Sequence, residues 1–423
     1  MLDIKFIREN QEAVRKAVKD KGIDLDLDKL LAVDERRRKL TVEIDELRRQ
    51  RRAIAQSRDI EKGKAAKQKL GALESELEQT EKDFGVLMLV VPNIPSPETP
   101  VGVAAANKEI YKWGEITKFD FEPKSHAELG KALDVIDFER GAKVSGFRGY
   151  FLKNEGVLLQ LGVLFYALTK VISRGFTPVV PPVLVREFAL VGSGHFPFGK
   201  DEVYQIGNLH SLKEQDEGTK DKMYLAGTSE PSLLAYYTDE ILDEKDLPIR
   251  FCGISACYRS EVGSYGKDTK GLYRVHEFMK VEQVVLCKND LAETKRWLME
   301  LESISKEILQ DLRLPYRVII NSTGDQGAGK YEMHDIETWM PSRKAYGETH
   351  SNSALTDWQA RRLNIRYRDR QGKLHFVHTL NNTAIASPRI LIAILENYQQ
   401  KDGSVQIPDV LQGFVGKKEI KPK

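Results

Sequence analysis

Along the first quarter of the chain, apolar residues recur in alternating steps of three and four. Leu30, Val33, Leu40, Ile44, Leu47 and Ile54 lie on one stripe, shared with Arg37 and Arg51. Ala66, Leu70, Leu73, Leu77, Thr80, Phe84, Leu87 and Val91 form a second. Such spacing is a heptad seam. The polar stretch SRDIEKGK between the stripes reads as a helix–helix turn. The pattern predicts an antiparallel helical hairpin, each helix of about 30 residues spanning roughly 45 Å. It stops at VVPNIPSPETPVG, whose prolines read as a linker.

Beyond the linker the periodicity changes. VLLQLGVLFYALTKVISRG predicts a long buried helix, and FTPVVPPVLV an extended segment broken by proline. RFCGISACYRSE and EFMKVEQVVLC read as strands paired antiparallel across a long glycine-containing loop. ETKRWLMELESISKEILQDL is an amphipathic helix, RRLNIRYRD and LHFVHTLNN are strands around the turn RQGK, and ASPRILIAILENYQQ is a helix with Pro388 near its start. Strands outnumber βαβ units. The fold class is therefore α+β: a helical arm over 1–105, with its coiled coil at about 28–90, then an antiparallel sheet flanked by helices over 106–423.

Composition narrows the class. The 423 residues allow two or three domains, 41% are hydrophobic and 30% charged, and the net charge is only +2. A global field for nucleic acid is thus excluded, and any basic surface is local. Cys252, Cys257 and Cys287 make no zinc spacing and leave an odd thiol, which suggests a reducing compartment. The N-terminus MLDIKFIRENQEAVRKAV lacks a secretory apolar core, and no uncharged run reaches the roughly 18 residues of a membrane span. A cytoplasmic location and no membrane partner are expected.

Two regions carry candidate chemistry. Arg48, Arg49, Arg51, Arg52, Arg58, Lys62, Lys64, Lys67 and Lys69 cluster towards the tip of the arm. They suit either a solvated coiled-coil surface or a reader of phosphate backbones. The stretch YRSEVGSYGKDTKGLYRVHEF sets Arg259 and Arg274 around a loop holding Gly263, Gly266, Lys267, Lys270 and Gly271, and ends in Phe278. It could grip a nucleotide, with Arg259 on phosphate and Phe278 on the base. It could equally be an ordinary surface hairpin. No G-x-G-x-x-G and no Walker loop are present. Glu282 shares a strand face with Phe278. Thr228, Glu230, Glu348, Ser351, Ser353, Asn381, Thr383 and Arg389 supply further polar groups. Spacing alone does not bring these together.

Over nearly its whole length the chain resembles the bacterial-type seryl-tRNA synthetases, a class II aminoacyl-tRNA synthetase family. RGFTPVVPPVLV resembles motif 1, YRSEVGSYGKDTKGLYRVHEFMKVE motif 2, and NNTAIASPRILIAILENYQ motif 3. The resemblance implies ATP-dependent activation of L-serine to seryl-adenylate and transfer to the 3′ end of tRNA(Ser), leaving tRNA(Sec) open. It implies ATP and Mg2+ and a homodimer formed through motif 1. Arg259 and Arg389 become the catalytic residues, on the α- and γ-phosphates respectively. Ser260, Glu261, Arg274, Val275, Phe278, Glu348, Thr349, His350 and Ser351 join them in binding ATP, with Glu348 and Ser351 holding magnesium. Thr228, Ser229, Glu230, Arg259, Glu282, Asn381 and Thr383 bind serine. Arg48, Arg49, Arg52, Arg58, Lys62 and Lys64 bind tRNA. NNTAIASPR departs from the glycine-rich start N-G-S-G-L-A-V-G-R that the resemblance leads one to expect. That implies a strand in ordinary φ/ψ space or bent only at Asn382. Two other classes stay open: a paralogue loading a small amino acid onto a carrier, and a non-catalytic RNA-binding scaffold.

Overall fold

The computed structural model describes residues 1–57, 59–207, 222–262 and 271–423. Arg58 and loop residues 263–270, with Gly263, Gly266, Lys267 and Lys270, lie outside the described residues. The chain divides into two compact units, Met1–Ile94 and Pro95–Lys423.

In the first unit, helices α1 (Leu27–Ser57) and α2 (Ile60–Leu89) pair. Leu30, Leu40, Ile44, Leu47, Ala66 and Leu70 are buried, and Leu73 and Leu77 are half-buried. The two seam arginines diverge. Arg37 stays on the seam because its guanidinium stacks 4.1 Å from the Phe84 ring and one nitrogen lies 3.1 Å from Asp34. Arg51 is exposed. Asp59 caps α2, accepting from the Lys62 backbone N–H at 3.1 Å.

The second unit is built on an eight-stranded sheet. In chain order its strands are β1 (Lys108–Trp113), β2 (Thr177–Val179), β3 (Ile249–Tyr258), β4 (Glu277–Cys287), β5 (Tyr316–Ile320), β6 (Glu332–Met340), β7 (Ala345–Thr356) and β8 (His378–Ala386). The spatial order is β1-β5-β6-β7-β8-β4-β3-β2, antiparallel throughout except for the β2–β3 edge pair. Helices α3 (His126–Ala132), α4 (Glu155–Ser173), α5 (Glu187–Ser193), α6 (Glu230–Ala235), α7 (Leu291–Asp311) and α8 (Ser387–Asn397) surround it. Leu159, Val163, Ala167 and Val171, at steps of four on α4, face one core shared with Leu301, Ile304 and Ile308 of α7 and the inner faces of β4 and β8. The opposite face of α4 leaves Val157, Leu158, Leu161, Phe165 and Ile172 exposed.

Three readings of the pattern change. RRLNIRYRD is half helix: Trp358–Leu363 is helical, Asn364 ends it at φ 54°, and only Arg366–Arg368 is strand. LHFVHTLNN divides between Leu374–Phe376, in a separate three-stranded sheet, and β8. The proline-rich stretch, read as a linker, is tied to the second unit. Ser96 N–H donates to Tyr331 O at 2.7 Å, and Pro100 O and Gly102 O accept from Thr323 and Gly324 at 2.8 Å. Prolines remove donors, and these three of the remaining backbone groups pair with neighbouring loops.

A buried charge network pins α7 to β6. His334 lies 2.6 Å from Glu302 and 2.8 Å from Glu332, while Lys295 reaches Glu332 at 2.6 Å. Burial works to lower the His334 pKa, yet the two carboxylates raise it to about 9. Burial works to raise Glu332, yet His334 and Lys295 hold it down at about 2. A raised folded-state pKa stabilises below the unfolded value, near 6.5, and the contribution disappears as pH climbs through 9. We therefore predict that the unfolding free energy of the wild type, measured by urea denaturation, falls between pH 6.5 and 9.5 by roughly 3 kcal/mol more than that of His334→Gln. Parallel pH profiles of the two proteins would contradict this account.

Candidate active site

One pocket opens on the sheet where β3, β4, β7 and β8 lie close together. It is lined by thirteen of the residues singled out in the sequence: Thr228, Glu230, Arg259, Glu261, Val275, Phe278, Glu282, Glu348, Thr349, Ser351, Asn381, Thr383 and Arg389. Strand geometry explains most of this. Phe278 and Glu282 alternate onto the same face of β4, and Thr383 of β8 stands directly across from Glu282. Gly253 faces Glu282 from β3, and a Cβ there would come within 2.7 Å of Ser229.

β7 needs more than alternation. Glu348 and Ser351 are three residues apart and would face opposite sides of a regular strand. The register slips between Ile336 and Glu337, which pair with His350 and Glu348. Thr349 is the extra residue of a β-bulge, and the bulge brings Glu348 and Ser351 to the same pocket. β8 slips likewise between Thr383 and Ile385, so that Asn381, Thr383 and Ala386 all line it. None of residues 378–389 has positive φ. The departure at NNTAIASPR is therefore ordinary strand running into helix α8. Asn382 points away from the pocket into the core, where its Nδ2 lies within 2.9 Å of Gln283 Oε1, Leu301 O and Ser305 Oγ.

One end of the pocket is a dense array of acceptors and hydroxyls. Glu230 Oε1 accepts from Gln359 Nε2 at 2.6 Å and Asn381 Nδ2 at 2.8 Å. Lys280 Nζ donates to Thr228 Oγ1 at 2.8 Å and pairs with Glu282 at 2.6 Å. Thr383 Oγ1 lies 3.4 Å from Glu282 Oε2. Burial raises the Glu282 pKa, opposed by the Lys280 ammonium. Burial lowers that of His195, which lines the same end with Nδ1 2.9 Å from Ser193 Oγ.

The other end is rich in arginine. Arg259 Nε donates to Gly227 O at 3.3 Å, and its guanidinium lies 5.4 Å from the Phe278 ring. Arg389 NH1 meets the Glu348 carboxylate at 3.0 Å, and its guanidinium lies 4.5 Å from the Tyr273 ring. Glu261, at φ 54°, takes Arg274 at 3.3 Å and Arg148 at 3.5 Å. Four cations (Arg259, Lys280, Lys330, Arg389) thus face four carboxylates (Glu230, Glu261, Glu282, Glu348) among the described lining residues. An anionic, polyphosphate-like ligand suits the arginine end. A small zwitterion with a polar side chain suits the other.

Four expected residues fall outside the lining. Ser229 turns its hydroxyl to Ser255 at 2.8 Å, behind the pocket floor. Ser260 donates to Asp201 O at 2.6 Å. Arg274 acts on Glu261. His350 is buried with Nδ1 2.8 Å from Thr349 Oγ1, and burial lowers its pKa to about 3. Lys280, Lys330, His195 and Tyr273 line the pocket without having been singled out. Lys280 alone left a signal, since 278, 280 and 282 alternate onto one face. Of the expected basic arm residues, Arg48 pairs with Glu74 at 2.8 Å, Arg49 with Glu46 at 3.1 Å, Lys62 with Asp59 at 3.1 Å and Lys64 with Glu61 at 3.2 Å. All of these lie on an exposed surface, as does Arg52. Surface pairs of this kind contribute about 0–1 kcal/mol and yield readily to a phosphate.

With this geometry in place, the similarities to known proteins become informative. Residues 1–95 match the family described as the seryl-tRNA synthetase N-terminal domain, and residues 211–398 the tRNA synthetase class II core domain (G, H, P, S and T). The chain is 47% identical over 431 residues to the serine–tRNA ligase of Deinococcus radiodurans, covering 99% of each chain. It is 42% identical to that of Treponema denticola, covering 98% of this chain and 99% of the other. A crystal structure of the Pyrococcus horikoshii seryl-tRNA synthetase complexed with ATP superposes with a TM-score of 0.91 at 39% identity, over 100% of both chains.

Proposed function

The chain belongs to the seryl-tRNA synthetase family, and on that premise we propose that it is a serine–tRNA ligase that activates L-serine with ATP in the pocket described above and then charges tRNA(Ser). The observation that carries this reading is the convergence of Arg259, Glu282, Glu348 and Arg389, from separate elements, on one pocket. The serine carboxylate attacks the α-phosphorus of ATP, the bond to the bridging oxygen breaks, and pyrophosphate leaves. Arg259 holds the α-phosphate and the carboxylate, and Arg389 holds the γ-phosphate. Both offset charge that builds in the transition state. Phe278 offers a π-face to the adenine. Glu230, Glu282 and Thr228 accept from the serine ammonium, and Thr383 and Glu282 meet its hydroxyl.

Magnesium fits the oxygen-only set near the triphosphate end. Glu348 and Ser351 would hold it, next to Asp335, which stands across from Ser351 and whose buried Oδ1 has no hydrogen-bond partner among the described residues. When bound, the ion neutralises triphosphate charge. The exposed apolar stripe on α4 supports a homodimer, and the exposed basic residues of the arm support tRNA backbone binding. The enzyme is proposed to be cytoplasmic.

The test is amino-acid-dependent ATP–pyrophosphate exchange, screened across all amino acids, followed by charging of tRNA(Ser) and tRNA(Sec). Serine is expected to lead by a wide margin. Alanine and glycine should trail far behind, because each leaves buried hydroxyl partners unpaired. A different leading amino acid would refute the specificity. Exchange without charging would favour the carrier-loading class. An active monomer in sedimentation would refute the dimer.

A further inference from the structure

The chain returns from the glycine loop to β4 through residues 271–276, and that return is held from outside the pocket. His126, the first residue of α3, is buried. Its Nδ1 lies 2.8 Å from Glu396 Oε1, and its backbone N–H donates to the same oxygen at 3.0 Å. Glu396, fully buried on α8, also accepts from Ser342 N–H at 3.0 Å and from Ser342 Oγ at 2.8 Å. Burial works to raise its pKa, and the donors from His126 and Ser342 bring it below the ordinary carboxylate value. Across the ring, the Leu272 N–H donates to His126 Nε2 at 3.0 Å.

A backbone amide can only donate, so Nε2 is bare and the proton sits on Nδ1, facing Glu396. The imidazole is a neutral relay in one fixed tautomer. Gly271 makes the approach possible: its φ is +88°, and a Cβ there would fall 2.1 Å from Nε2.

Past Leu272 the chain forms the wall of the nucleotide end. Tyr273 O accepts from Arg389 Nε at 3.2 Å, and the Tyr273 ring stacks with two guanidiniums, Arg389 at 4.5 Å and Arg343 at 4.3 Å from its centre. Arg274 holds Glu261, and Val275 and Phe278 line the pocket. We propose that His126 is a positioning residue for ATP: its bond to the Leu272 amide, with the tautomer fixed by Glu396, sets where residues 272–278 and Arg389 meet the nucleotide. This rests on the ATP-dependent reading above. It adds a residue that touches neither substrate and lies about 150 positions upstream of the wall it supports.

The test uses the full-length protein, with exchange kinetics and hydrogen exchange at the Leu272 amide. His126→Asn keeps a donor near Nδ1 but has no acceptor at the Nε2 position. Its KM for ATP is expected to rise about tenfold, the scale of one lost hydrogen bond, with KM for serine within about twofold. The Leu272 amide should lose protection. His126→Gln, whose carbonyl reaches towards the Nε2 position, should recover most of both. An unchanged KM for ATP, or equal rises for both substrates tracking a fall in melting temperature, overturns the proposal. Should H126N fail to fold, Glu396→Met takes away the acceptor for the Nδ1 proton and is read the same way: a selective rise in KM for ATP supports the relay, and none overturns it. If the wild type shows no exchange with any amino acid, the functional reading fails on its own, and Leu272 protection that is unchanged in H126N still refutes the anchor.

Discussion

Arg259→Ala should abolish serine-dependent ATP–pyrophosphate exchange while leaving the protein folded. Among the described residues the side chain's hydrogen bond is a long one, to Gly227 O at 3.3 Å, whereas its backbone N–H, paired to His276 O at 2.9 Å, survives the substitution. The fold therefore loses little. The reaction loses a fixed cation placed where negative charge develops, and removing a single such donor typically lowers turnover by about 10²–10³-fold. A guanidinium serving both phosphate and carboxylate should exceed that. Lysine should rescue only part of the loss, because it cannot form the planar two-point contact. Circular dichroism and a melting curve would establish folding. Near-normal exchange in soluble R259A would remove Arg259 from the mechanism.

The second large effect separates the two units. Deleting roughly residues 28 to 90, with a short bridge, removes the paired helices Leu27–Ser57 and Ile60–Leu89 and leaves every residue of the pocket in place. Adenylation, read by exchange, should stay close to wild type. Charging of tRNA should fall at least about a hundredfold, and what remains should be less sensitive to salt, since fewer phosphate contacts are left to release counterions. If the truncated protein charges tRNA as well as the full chain does, the exposed arginines and lysines of the arm are only a solvated surface.

The sequence was most legible where one period ran long. The heptad seams and the two strands around 258–278 needed only apolar spacing. It was least legible where neighbours in sequence part company in space. Ser229 and His350 lie next to pocket residues but point into the core, because strand and turn geometry divides adjacent side chains between opposite faces. Lys280 was visible as a face-mate of Glu282, but its partner Thr228 is 52 residues away and only the folded sheet joins them. Lys330 and Tyr273 arrive from loops, which carry no period. The proline-rich stretch looked like a spacer because proline content reports missing donors, and the partners of those that remain cannot be read from it.

The bulge at Thr349 changes what kind of damage this enzyme tolerates. Point substitution at Thr349 alters one side chain, and the strand keeps its register. Loss of the whole residue would restore a regular strand in which Glu348 and Ser351, now two positions apart, still share a face; what disappears is the Thr349 side chain at the pocket. A library of single-residue deletions would therefore find position 349 more permissive than its paired neighbours on β7, whose loss slips the register by one and turns every side chain beyond to the other face. At this site the chain holds one residue more than the ladder pairs, and that surplus is a buffer against shortening.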